Sequence, residues 1–222
     1  MATSARTDWL VPAGLLALSV VPLAAGTLRI LQIGTGAEMT PENARFFAAP
    51  LPVVLHLVSS MVYCVLGAFQ FSPGLRRRHL GWHRASGRML VPCGLVTALS
   101  ALWLTLSLPT GVEPPARFDG SLVYATRLLV GSAMTVFLCL GLAAVLRRDI
   151  PNHQAWMMRG YALGLGAGTQ VFTHLPWFLF PGVQGEMTRA LCMATGWGIN
   201  YAVAEWLISR ERRKRSHRTC VV

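Results

Sequence analysis

Residues 121–148 read SLVYATRLLVGSAMTVFLCLGLAAVLRR. Between Ser121 and Leu146 the only charged side chain is Arg127, and Arg147 and Arg148 then close the run. At about 1.5 Å per residue, a helix over this window crosses the roughly 30 Å hydrocarbon core of a bilayer with length to spare. Comparable apolar windows recur at about 9–31, 50–71, 86–109, 154–180 and 186–208. Together they take up most of the 222 residues and leave no room for a sizeable soluble domain. Composition agrees: 53% of residues are apolar and 13% are charged, against about 25% charged in a soluble domain. That hydrophobicity excludes intrinsic disorder. The formal charge of +11 comes from 20 basic and 9 acidic residues. It is concentrated between apolar runs rather than spread over a polar surface, which argues against a nucleic-acid partner. The sequence therefore predicts an all-α fold, a polytopic transmembrane helical bundle of about six spans.

The placement of charge predicts the orientation. SPGLRRRHLGWHRASGR follows the second span, Arg147 and Arg148 follow the fourth, and RERRKR follows the sixth. With six spans these segments share one side, while the other loops are poor in Lys and Arg and hold Glu38, Glu42, Glu113 and Asp119. Basic loops stay where the chain is made, so both termini are expected in the cytoplasm. The chain then divides into a short N-terminal tail (1–8), a six-helix transmembrane domain (9–208) and a basic cytoplasmic tail (209–222). The first window is too long for a secretory signal and lacks its small-residue cleavage pattern. The basic loops and tail are expected to attract anionic lipid. Trp9, Trp82, Trp156 and Trp206 fall near the inner boundary and Trp103 and Trp177 near the outer one, the zone that indole prefers. Cys64, Cys93, Cys139 and Cys192 lie within spans and Cys220 in the tail, with no metal-ligand spacing among them. Gly160, Gly164 and Gly168 recur every four residues. Such a stripe favours close helix packing, with room for a flat cofactor as the sharper alternative.

Ionisable groups at depth are costly, so they are the first places to look for function. Helical rise puts His56, His174 and Arg127 at one level, roughly 9 Å below the outer boundary, with Gln170 a turn deeper. A second layer near the inner boundary holds His79, His83, His153 and Arg159, approached by Glu205, with Asn200 a turn or more deeper and Gln70 closing the second span. An Arg159–Glu205 ion pair is the structural reading of those two residues, because a lone charge there is expensive.

HLVSSMVYCVLGAFQF, LRRRHLGWHRASGR, RRDIPNHQAWMMRGYAL and GWGINYAVAEWL together resemble the domain-of-unknown-function 2306 family of predicted bacterial membrane proteins. The shared positions are His56, Gln70, Phe71, His83, Arg84, Gly87, Arg88, His153, Trp156, Met157, Arg159, Asn200 and Glu205. Gln154 stands where the family pattern carries a second basic residue. The resemblance implies a multi-pass protein of the bacterial cytoplasmic membrane and supplies no activity.

Two functions follow from the polar layers. In the first, the chain is a transmembrane electron carrier binding haem b. His56 with His174 and His83 with His153 would ligate iron, with Arg127 and Arg159 near the propionates, and no metal other than haem iron is expected. In the second, the layers line an intramembrane polar cavity of a small-molecule, lipid or proton carrier or receptor, without redox chemistry. An enzyme reading is weaker. Ser59, Ser60 and Tyr63 lie within about two turns of His56, but no Asp in any span is placed to orient it.

Overall fold

The computed structural model describes residues 5–40, 43–107 and 118–219. Glu42, Glu113 and Cys220 fall outside the described residues. Among the described residues the chain is helical and carries no strand. Four long helices are apolar enough to cross a membrane. They are α1 (Ala5–Thr35), α3 (Pro50–Gln70), α5 (Leu80–Ser107) and α6 (Ser121–Leu146). Short α2 (Ala44–Ala48) and α4 (Pro73–Arg78) lie in the connections around α3.

The last two windows behave differently. Residues 150–179 form α7 (Ile150–Gly164), α8 (Gly166–Thr173) and α9 (Leu175–Leu179), each too short to span alone. The hydrogen-bond ladder nevertheless carries on through both joints. Leu165 N–H donates to the Tyr161 carbonyl and His174 N–H to the Gln170 carbonyl, each at 3.0 Å. The final helix, α10 (Glu186–Thr219), is long enough but too polar to qualify as a span by composition. Arg189, Asn200 and Glu205 dilute it, and it runs on through the basic tail without a break at 208. The helix of the third window starts earlier than 86, so Trp82, His83 and Arg84 lie on the first turns of α5 rather than in a loop.

Local chemistry fixes the corners. Pro73 opens α4, and the Ser72 hydroxyl accepts from Leu75 N–H at 3.2 Å, an N-cap. α6 stops in a Schellman turn. Arg148, at φ +61°, takes the left-handed position usually given to Gly. Its N–H donates to the Val145 carbonyl at 3.0 Å, and Asp149 N–H to the Ala144 carbonyl at 2.9 Å. Asp149 then caps α7, accepting from Asn152 N–H at 3.2 Å, with Pro151 in the first turn. The α6–α7 reversal is therefore made by Arg148 and Asp149.

α3, α5, α6 and α7 pack around Tyr63, Leu90, Ala98, Met134, Leu138, Tyr161, Leu163 and Leu165. Tyr161 donates its hydroxyl to the Cys64 carbonyl at 2.7 Å. The glycine stripe is a packing device. Gly160 faces the Leu138 side chain, Gly164 the Tyr63 ring, and Gly168 the backbone of Leu18. That last contact has a cause in α1. Pro22 lacks the N–H that would bond the Leu18 carbonyl, and that freed oxygen sits where a Cβ on residue 168 would stand. Trp177 departs from its expected place at the lipid boundary: it is buried under Phe118, edge to face at 5.0 Å. Trp9, Trp82, Trp103 and Trp206 remain exposed.

Gly168→Leu should lower thermal stability in detergent by about 1–3 kcal/mol, the usual range for overpacking. The matched control Gly14→Leu, whose Cβ would meet open space, should leave the melting temperature unchanged.

Candidate functional site

A cavity of about 1110 Å³ opens between α1, α3, α5, α6, α8 and α10. Its walls are mostly apolar: Leu23, Val53, Leu57, Met61, Val130, Met134, Leu163 and Trp197. The Ser and Thr side chains along it add little polarity, because most return their hydroxyls to their own helix. Ser19 donates to the Leu15 carbonyl at 2.9 Å, Ser60 to Leu57 at 3.0 Å and Thr105 to Ala101 at 2.8 Å. What remains polar is chiefly His56 of α3 and Gln170 of α8, together with a charged end formed by Arg29, Arg45, Asp119 and Arg127.

That end is built on Asp119, which is 3% exposed. Arg127 of α6 donates to its Oδ2 at 2.9 Å, Arg189 of α10 donates to its Oδ1, and Arg45 of α2 stands 3.6 Å away. Three guanidiniums from three segments thus share one carboxylate. Arg45 is poorly satisfied. Its Nε is buried and has no hydrogen-bond partner among the described residues. It lies over the Phe46 ring at 4.7 Å, which Arg29 also covers at 4.1 Å. Burial alone would raise the Asp119 carboxyl, but the charges and hydrogen bonds of Arg127 and Arg189 outweigh it and hold the group below its ordinary value.

His56 sits on α3 with Nδ1 at 3.0 Å from the Thr97 carbonyl and 3.2 Å from the Ser100 hydroxyl. A carbonyl only accepts, so Nδ1 carries the proton and the lone pair of the neutral ring is on Nε2. His174 makes the same bond to its own helix, the Gln170 carbonyl, at 2.9 Å, and His153 to the Gly141 carbonyl at 2.8 Å. His83 Nδ1 is buried without a partner among the described residues. Of the six residues that sequence assigns to a cofactor, His56 and Arg127 line the cavity, whereas His83, His153, His174 and Arg159 do not. Arg159 is taken up by Glu205: both carboxylate oxygens accept from it, Oε2 at 2.9 Å from Nη2, and Trp156 stacks beneath at 4.5 Å. That is the ion pair expected from their shared depth. Asn200 bridges α10 to the α7–α8 joint, accepting from the Thr169 hydroxyl at 2.6 Å and donating to the Ala162 carbonyl at 3.1 Å. Among the described residues no cluster of three or more His, Cys, Asp or Glu could hold a metal ion.

Sequence reasoning missed Asp119, Arg45 and Arg189. Asp119 reads as one more loop acid, and Arg45 and Arg189 fall near span ends where a solvated arginine is ordinary. The available signal was an excess of arginine at a boundary that the charge rule expects to be poor in it.

Asp119→Asn should destabilise the protein at neutral pH by up to about 3 kcal/mol, the low end for a broken buried ion pair because the arginines keep some solvent. A carboxyl depressed on folding stabilises fully above its unfolded value and loses that contribution as pH falls through its folded value. The gap between wild type and Asp119→Asn in thermal unfolding should therefore hold from about pH 7 to about pH 5 and narrow as pH falls below about 4.

No curated protein and no solved structure matches this chain at a significant level. The profile of a family described as predicted membrane protein, DUF2306, matches residues 53–208, from the start of α3 into α10. The chain is therefore a membrane protein of the DUF2306 family.

Proposed function

We propose that this protein is a carrier or receptor that takes a small apolar molecule or a lipid into its helix bundle. The observation that carries this reading is the cavity, at about 1110 Å³. Ligand sites of about 300–1,000 Å³, largely apolar with a few placed polar groups, are the norm. A solidly packed bundle would have no such space.

The accompanying topology is six spans with both termini in the cytoplasm of a bacterial cell. Two groups of contacts support it. Arg45, Asp119, Arg127 and Arg189 join at one end of the bundle. At the other, Arg212 and Arg215 of the tail reach Asn152 and Gln154 at 3.5 and 2.8 Å. Alternate connections thus share an end, as an even number of crossings requires, and the continuous ladder of 150–179 supports counting it as one crossing.

A second reading, haem b, is favoured by one observation. His56, His153 and His174 all direct Nδ1 to a carbonyl, the arrangement that leaves Nε2 to ligate a metal. Here His56 with His174, and His83 with His153, would hold the iron, and the group would supply one-electron transfer.

The carrier reading is tested with the full chain in detergent and a neutral naphthylamine dye whose fluorescence rises in apolar surroundings. Saturable binding is expected, and Ala167→Trp, at an open position on the cavity wall, should weaken it about tenfold or more, a cost of at least 1.4 kcal/mol. Absence of saturable binding, or equal binding by the folded variant, overturns the reading. An absorption spectrum of the same reduced sample decides the haem reading: a Soret and α band lost in His56→Ala supports it, and a spectrum without them ends it.

A further inference from the structure

The ligand class follows from where the binding energy can come from, on the reading that the cavity is a ligand site. A molecule that leaves lipid for an apolar cavity exchanges one oily surrounding for another, so apolar burial supplies little net attraction. Selectivity has to come from the polar and charged lining. Among the described lining residues there are three arginines, Arg29, Arg45 and Arg127, and a single carboxylate, Asp119. That carboxylate is already shared with Arg189, which reaches it from α10. The lining is therefore cationic on balance. Arg45 also keeps a buried Nε donor that nothing among the described residues satisfies, and its ion pair to Asp119, at 3.6 Å, is longer than a hydrogen bond.

The shape of the cavity points the same way. Its lining on α1 runs from Ser19 to Arg29, and on α3 from Val53 to Cys64. At about 1.5 Å per residue each wall is roughly 15 Å long, half of a hydrocarbon core of about 30 Å. The arginines stand at one end of this length and Ser19, Cys64 and Met134 toward the other. The site has about the height of a single leaflet, with its cations gathered at one end.

We propose that the cavity binds a single-chain amphiphile with an anionic head, carboxylate or phosphate, held by Arg45 and Arg127 while its chain lies between α1, α3 and α6. Arg45 supplies the unused donor, and Arg127 shares itself between Asp119 and the head. Charge-assisted hydrogen bonds from two guanidiniums give the preference for an anion over a neutral head.

The experiment is displacement of the neutral naphthylamine dye from the full chain in detergent by hexadecanoate, hexadecyl phosphate, hexadecanol, phosphatidylglycerol and inorganic phosphate. The two anionic single-chain compounds should compete at concentrations about tenfold below hexadecanol. Arg45→Gln should erase most of that advantage and leave hexadecanol unchanged. Arg45 is chosen because it is the least engaged with Asp119, and Arg127→Lys serves as a second variant that retains the charge but not the forked geometry. Equal competition by hexadecanoate and hexadecanol, or an advantage that survives Arg45→Gln in a folded protein, overturns the proposal while leaving the cavity reading intact. Competition by inorganic phosphate alone would make the site one for a free anion, and competition by phosphatidylglycerol without hexadecanoate would make it one for a two-chain lipid. Either result overturns the single-chain assignment. If the dye itself fails to bind, the cavity reading falls first and takes this one with it.

Discussion

Asp119 ties together parts of the chain that are far apart in sequence. Burying an ion from water costs several kcal/mol, and only close partners offset it. Here the partners come from α2, α6 and α10, so the carboxylate can be buried only once all three segments are in place. The connection between α1 and α3, the top of α6 and the start of α10 are thereby drawn to one point. The end of the cavity is the space this convergence leaves. Its excess of positive charge is a direct result of one acid serving three bases.

Elsewhere the same physics works through the backbone. In oil, each carbonyl and N–H needs a partner inside the protein. Pro22 frees the Leu18 carbonyl in α1, and the bare backbone of Gly168 lets α8 come against it. The joint at Leu165 interrupts regular helix, and Asn200 donates to the Ala162 carbonyl beside it. Gln170 and Thr173 donate to the carbonyls of Met193 and Cys192. These cross-helix bonds fasten the broken segment to α10, which explains how a stretch of short helices can hold a place in the bundle.

The sequence announced the apolar helices because a bilayer demands length and lack of charge, and residues 50–70 or 121–146 have no other plausible reading. It announced the Arg159–Glu205 pair because two opposite charges at one depth have little alternative. It was less informative where partners come from the far end of the chain. Nothing local tells that His56 turns toward Thr97 on α5, that His174 is satisfied by its own helix, or that Asp119 is more than a loop acid. Depth is readable from position; the direction in which a side chain points is not, because it depends on the rotation of each helix about its axis. The breaks at Leu165 and His174 were equally hidden, since Gly160, Gly164 and Gly168 suggest close packing as readily as a joint.

The region shared with the family begins at residue 53, yet one whole wall of the cavity, from Ser19 to Arg29, belongs to α1. The remaining walls come from α3, α5, α6, α8 and α10, so that without α1 the cavity would be a trough open along one side. In this chain α1 closes that side, seated where the Leu18 oxygen meets the bare backbone of Gly168.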